Sequence, residues 1–331
     1  MRSKTEAFSS TDRTKHMVAY TGKKSVGIIG HSNERRKMTI LTVIPDIHAD
    51  LSRLHASLDA ARGANVAFLG DFIDAGNSLD VPDDASVLRK VRSLVEQEGA
   101  LAVMGNHELN AILFHRRDKK GAPLRHHSSK NVSQHASFLD NIGFATPAAI
   151  EWTEWFLNLP LWIERDGLRM VHACWDQTSI DVIRERRPDG RLRTEDLEEV
   201  ALKQTNFAKA VEALTSGPEV LLPDDCWFFD NKKNRRREVR LAWWKPQHGT
   251  WRDLALAVPD IQQLPDSPVA GAESIKIYGE DQEPVLVGHY KMKGEPRIEV
   301  GQAACLDYPD FRCVYHWSGE RKLVQENLTK V

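Results

Sequence analysis

Short apolar runs of strand length at residues 39–44, 66–69 and 100–104, with helical spacing in the gaps between them, most narrow what this chain can fold into. In the first gap Leu51, Leu54 and Leu58 recur on one face, with Asp50 placed to cap the start and Gly63 just past the end. In the second, Val87, Val91, Leu94 and Val95 form a stripe behind Asp83 or Asp84 and ahead of Gly99. Strand, helix, strand, helix, strand in that order is the mark of a sheet with parallel members joined by crossover helices. The fold class expected is therefore α/β.

The rest of the chain adds to that core. A helix is expected over 147–159, opened by Pro147, followed by two strands around a turn at Asp166-Gly167. Residues 176–245 are charged and read as a mostly helical insertion lying over one face. The last third reads as β structure, including 322–324 as the return strand of a hairpin turning at Ser318-Gly319. Residues 1–37 hold no sustained periodicity and are expected to be a poorly ordered extension ahead of a domain at 38–331.

Composition excludes several function classes. With 45 Lys+Arg against 47 Asp+Glu the net charge is −2, so binding of a nucleic-acid polymer through bulk positive charge is not expected. No apolar run approaches the roughly 18 residues of a membrane span. The polar N-terminus has no secretory core, and Cys174, Cys226, Cys305 and Cys313 include no close pair. A cytoplasmic protein is expected.

Each strand-like segment ends in residue types that bind metals. "PDIHAD" offers Asp46 and His48, "GDFIDAG" offers Asp71 and Asp74, and "GNHE" offers Asn106 and His107. Later segments end in His172 ("VHAC") and His289 ("VGHY"). Ligands of open α/β sheets gather beyond the carboxyl ends of the strands, so these segments should meet in one cleft. Carboxylate, imidazole and amide oxygen together suit Mn, Fe, Zn or Co and need no thiolate. Asp71 is placed to bridge two such ions. A pair about 3.5–4 Å apart grips phosphoryl oxygens and makes a nucleophile of water at neutral pH, which points to phosphoester hydrolysis.

"DIH", "GDFID", "GNHE", "HA" after a strand and "GHY" resemble, in that order, the motif set of the calcineurin-like metallophosphoesterases. The resemblance is nearest to their phosphoprotein phosphatase and symmetrical diadenosine tetraphosphatase branch. It also takes in "LNLPLWIERDGLRMVHA" and "ACLDY", and so covers residues 40 to 325 apart from the middle insertion. It implies an α/β/β/α sandwich and two divalent metal ions, manganese foremost. By the same resemblance Asp46, His48 and Asp71 would hold one ion, and Asp71, Asn106, His172 and His289 the other. His107 would be the general acid and Asp74 its orienting partner. In many relatives outside that branch a second His stands two residues after the one matching His289; here the position is Lys291.

One departure bears on substrate. Where the branch reads "GDxxDRG", with an Arg for the substrate phosphate, this chain has Ala75. Candidate replacements are Arg116, Arg117, Lys245 and His248, with the two arginines ahead. The expected substrate is a phosphomonoester, most simply a phosphorylated Ser or Thr side chain. Hydrolysis of dinucleoside polyphosphates is the alternative, favoured if Trp243 or Trp244 faces the cleft. A module that keeps the fold and has lost catalysis is a second alternative, supported only by Ala75. The remaining histidines, including His115 and His135, are expected to fill surface or core.

Overall fold

The computed structural model describes residues 40–75, 79–230, 233–245, 249–269 and 277–331; the extension expected over 1–37, and His248, lie outside them. The described chain opens as β1 (Leu41–Ile44), α1 (Leu51–Ala61), β2 (Asn65–Phe68), α2 (Asp84–Gln97) and β3 (Leu101–Ala102). The three strands pair in parallel. Asp50 caps α1 by accepting the Arg53 N–H at 2.8 Å, and the helix ends at Arg62 in the left-handed region, just before Gly63. Asp83, rather than Asp84, caps α2 through the Ser86 N–H at 2.8 Å; Asp84 turns inward and accepts the Asp74 N–H at 2.9 Å. β3 stops short of residue 104 because the Met104 N–H leaves the ladder for Pro160 O, 2.9 Å away.

Next come α3 (Asn106–His115), α4 (Ser129–Gln134), α5 (Ala136–Asn141), α6 (Pro147–Leu157), β4 (Trp162–Arg165) and β5 (Leu168–Val171). Thr146 caps α6 and Pro147 opens it. Positive φ at Asp166 (53°) and Gly167 (91°) makes the tight turn that joins β4 to β5.

The segment expected as a helical insertion is helical only in its first part, over α7 (Gln177–Arg186), α8 (Leu197–Leu202) and α9 (Asn206–Ser216). It then turns to strands β6 (Glu219–Leu221), β7 (Phe228–Phe229), β8 (Arg235–Arg236) and β9 (Glu238–Leu241), followed by α10 (Trp251–Leu254) and β10 (Ala255–Leu256). Dense charge hides a period of two there: Val239 and Leu241 point inward, while Arg240 between them pairs with Glu219 across the sheet at 2.9 Å.

The chain closes with β11 (Val285–Val287), β12 (Ala303–Cys305), β13 (Cys313–Trp317) and β14 (Leu328–Lys330). The partner of β13 is β14 and not 322–324, because the Leu323 N–H is taken by Gly301 O at 2.7 Å.

Two sheets form the centre. One has the order β14-β13-β1-β2-β3 and the other β12-β11-β5-β4. Leu41, Val43, Ala67 and Leu69 of the first pack against Leu168, Met170, Leu286 and Ala304 of the second. Alternation along each strand sends its other residues outward. Ile44 and Phe68 meet Leu54 of α1 and Val87 of α2, while Val171, Val285 and Val287 lie with Val211 and Leu214 of α9. The result is the α/β/β/α sandwich. No helix among the described residues is long and apolar enough to cross a membrane.

Candidate metal centre and active site

Backbone geometry at the strand ends shapes the site before any side chain does. The Ile47 and His48 N–H groups both donate to Asp71 O, at 3.0 and 2.9 Å, so the loops after β1 and β2 are tied together. His48, Asp71, Asp74 and His289 all adopt positive φ, between 50° and 73°. Each such residue costs roughly 1–3 kcal/mol and persists only where its surroundings over-determine it. Two glycines are required by close approach: a Cβ at Gly105 would strike Asp71 Oδ1, and one at Gly288 would strike Asp46 Oδ1. Beneath them the buried Glu108 carboxyl accepts the N–H groups of Asp71 (2.8 Å), Phe72 (2.8 Å) and Gly105 (2.9 Å).

On this frame the residues singled out at the strand ends come together. His48 donates Nδ1–H to Ile73 O at 3.2 Å, which leaves the Nε2 lone pair directed at Asp46 Oδ2 and Asp71 Oδ2, 3.8 Å from each. His172 donates Nδ1–H to Leu69 O at 2.7 Å and presents Nε2 to Asn106 Oδ1 (3.0 Å) and Asp71 Oδ2 (3.4 Å). His289 Nδ1 lies 2.8 Å from the same Asn106 oxygen, and its backbone N–H donates to Asp46. Donor atoms of His48, Asp71 and His107, and separately of Asp71, His172 and His289, lie within 4.8 Å of one another. Asp71 belongs to both groups.

His107 stands at the first turn of α3, where its N–H donates to Asp71 Oδ1 at 3.0 Å. Its ring Nδ1 meets Asp74 Oδ2 at 2.7 Å, and its Nε2 faces the cleft 3.9 Å from Asp71 Oδ2. Burial works against charge on this ring, but the carboxylates of Asp71 and Asp74 outweigh it and carry its pKa up to about 9. His48 goes the other way, down to about 3, through burial and the neighbouring His107. Asp46 is pushed well above the usual carboxylate range by burial and by the nearby Asp307.

A cavity of about 470 Å³ opens beside His48, lined among others by Ile47, Arg53, Ala75, Lys291 and Asp307. Of the cations singled out in the sequence, Arg116, Arg117 and Lys245 are not among its described lining residues. Arg116 and Arg117 follow the far end of α3, whose 10 residues span about 15 Å. Arg116 pairs there with Glu154 at 2.6 Å, and Arg117 donates to Gly121 O at 2.7 Å. Lys245 pairs with Glu299 at 2.9 Å. Trp243 and Trp244 are buried, and Trp243 Nε1–H lies 3.2 Å from Ala173 O and 3.1 Å from Tyr290 Oη, so neither ring forms a stacking platform in the cleft.

Reading the residues in order missed several that shape the site. Glu108 carried a detectable signal, since a Glu three residues after a helix cap can reach back to accept the cap's backbone N–H, here that of Gly105. Asp307, whose Oδ2 accepts the Lys291 N–H at 2.8 Å, and His135, which contacts Asp74, carried none.

The donor set fits a pair of divalent ions. His48 Nε2 and His289 Nε2 are buried without a hydrogen-bond partner. A lone pair aimed at two carboxylates has no favourable arrangement until a cation stands between them.

Comparison with known proteins agrees. The family model described as calcineurin-like phosphoesterase matches residues 40–289. A symmetrical bis(5'-nucleosyl)-tetraphosphatase from Ralstonia nicotianae is 30% identical over 141 residues, which are 41% of this chain and 44% of that protein, so the chain matches less than half of the relative's length. Among solved structures, one described as a putative diadenosine tetraphosphatase is 14% identical with a TM-score of 0.42, covering 89% of this chain and 94% of its own. A protein serine/threonine phosphatase from Saccharomyces cerevisiae is 11% identical with a TM-score of 0.44, covering 90% and 81%. A cold-active protein-tyrosine phosphatase from a psychrophilic Shewanella is 12% identical with a TM-score of 0.46, covering 87% and 81%. With the family model spanning well over half of its length, the chain belongs to the calcineurin-like phosphoesterase family.

Proposed function

We propose that the protein is a metal-dependent phosphomonoesterase acting on phosphorylated Ser or Thr side chains. Asp46, His48 and Asp71 would hold one divalent ion, and Asp71, Asn106, His172 and His289 the other; this mixture of oxygen and nitrogen donors suits Mn, Fe, Zn or Co, and the family resemblance puts manganese foremost. Bound there, such a pair supplies Lewis-acid stabilisation to phosphoryl oxygens and a nucleophile from water at neutral pH. The observation that carries this reading is the buried, unpartnered His48 Nε2 set 3.8 Å from two carboxylates.

The chain's own residues do the rest. Asp74 accepts His107 Nδ1–H and leaves Nε2 facing the cleft, where it gives its proton to the departing alkoxide. Lys291 takes the place of the guanidinium missing at Ala75: it lines the same cavity, and its charge bears on both His48 and His107. That cavity has no Phe, Tyr or Trp among its described lining residues, which favours a small phosphomonoester over a nucleobase-bearing substrate. Free thiols at Cys174, Cys226, Cys305 and Cys313 suit a reducing, cytoplasmic setting. Hydrolysis of dinucleoside polyphosphates is the second reading, and the observation favouring it is the 30% identity to the Ralstonia nicotianae tetraphosphatase.

The test compares the manganese-loaded protein on a phosphoserine peptide, p-nitrophenyl phosphate and diadenosine tetraphosphate. Turnover of the first two is expected, with loss of about 10²–10⁴ in kcat on the peptide in His107→Asn at unchanged metal content. Preference for diadenosine tetraphosphate would replace the first reading by the second, and undiminished activity in His107→Asn would remove the acid assignment.

A further inference from the structure

We infer that His135 is a positioning residue for the His107–Asp74 pair, acting through a one-way chain of hydrogen bonds that ends on Asp74 Oδ1. The inference rests on the reading of His107 as the acid. The chain runs from the Ala145 N–H to His115 Nδ1 (3.1 Å), from His115 Nε2 to His135 Nε2 (3.1 Å), and from His135 Nδ1 to Asp74 Oδ1 (2.8 Å). Asp74 Oδ2 then meets His107 Nδ1 at 2.7 Å.

The direction of every bond follows from the first. A backbone amide can only donate, so His115 Nδ1 is a bare acceptor and that ring carries its proton on Nε2. His115 Nε2–H therefore donates, and His135 Nε2 accepts. His135 in turn has its proton on Nδ1 and donates it to Asp74. An imidazolium at either position would set two N–H groups against each other, so both rings are neutral in this arrangement. Burial agrees for His115, whose pKa it depresses to about 4 with the help of His135.

Packing holds the relay in place. His135 is 1% exposed, sits at the junction of α4 and α5, and stacks on Phe138 with ring centroids 4.7 Å apart at 15°. His115 lies beside Phe144, centroids 5.6 Å apart. Asp74 has positive φ (67°), and its N–H goes to Asp84 at 2.9 Å. With one oxygen on His135 and the other on His107, its carboxylate cannot rotate. His107 is thereby held with Nδ1–H inward and Nε2 toward the substrate.

Two substitutions separate positioning from mere packing. His135→Phe keeps the ring stack on Phe138 and removes the N–H; His135→Asn places an amide N–H near the position of Nδ1. A residue acting through the general acid matters most when the leaving group is poor. His135→Phe is expected to lower kcat on a phosphoserine peptide by about 10–100-fold and on p-nitrophenyl phosphate by less than about threefold, with His135→Asn recovering most of the loss. An equal fall on both substrates, or no recovery in His135→Asn, overturns the inference. His107→Asn run alongside should show the same split more severely; if it shows none, the acid reading has failed instead. The relay itself is read without mutation by 15N NMR of the zinc-loaded wild-type protein, histidine-labelled and assigned with His135→Asn. A protonated Nδ1 and a bare Nε2 on His135 are expected, and the opposite tautomer or an imidazolium overturns the relay.

Discussion

In the proposed reading Lys291 supplies the cation that the family pattern places at Ala75. Its backbone is fixed by positive φ (48°) and by the N–H donated to Asp307, while its side chain is exposed in the cavity beside His48 and has no ion-pair partner among the described residues. A charge-assisted hydrogen bond to phosphate is worth about 1.5–3 kcal/mol, so Lys291→Ala should lower kcat/KM on phosphomonoesters by about 10–100-fold. Arg116→Ala, whose guanidinium is spent on Glu154, should leave it unchanged. Steady-state kinetics of the two variants decide the matter; equal effects would return the phosphate to the arginines. The same scale shows why some residues could be picked out from the sequence and others not. Asp46, Asp71 and Asn106 each stand two positions past the end of an apolar run, and that nearness is a local pattern. His135 reaches Asp74 across 61 positions, and nothing near either residue announces the contact.

At the scale of elements, strand ends and their glycines do the positioning. Gly288 follows β11 and is pressed against the Asp46 carboxylate that follows β1, so strands of the two different sheets meet there through one missing Cβ. Gly288→Ala must displace Asp46, and overpacking of this kind costs about 1–3 kcal/mol. Metal affinity at that site should fall by about 5–150-fold on the same arithmetic, measured as metal content after dialysis against graded free manganese. Full occupancy would mean that Asp46 is not a donor. Strands were harder to read than helices in the middle of the chain. The stretch after α9 is dense in charge, and the alternation of Val239 and Leu241 with Glu238 and Arg240 stands out only once β9 is seen paired with β6.

For the molecule as a whole, a sheet with parallel members could be read from the sequence because β-α-β-α-β admits few topologies, whereas the α/β/β/α sandwich was implied by the family resemblance. Which strands border which across the second sheet could not, since β11 pairs with β5 over a sequence gap spanning the entire segment of small strands and helices. The closed arrangement concentrates Asp46, Asp71, Glu108 and Asp307 in a buried space, and their mutual repulsion is a standing cost without cations. Chelation should therefore lower the melting temperature by several degrees, since a ligand at a hundred times its Kd adds about 2.7 kcal/mol. Scanning fluorimetry with chelator, then with manganese restored, tests this. An unchanged melting temperature in metal-free protein would show that these donors hold no ion in the fold.

The lacing of loops across both sheets also sets an order of events during synthesis. Asp46 leaves the ribosome early, yet the amide of His289 that seats it belongs to β11's end, 243 positions later. In the proposed reading, a chain cut short before β11 would lack both His289 and the amide that seats Asp46, so loading with metal should wait on translation of that late strand.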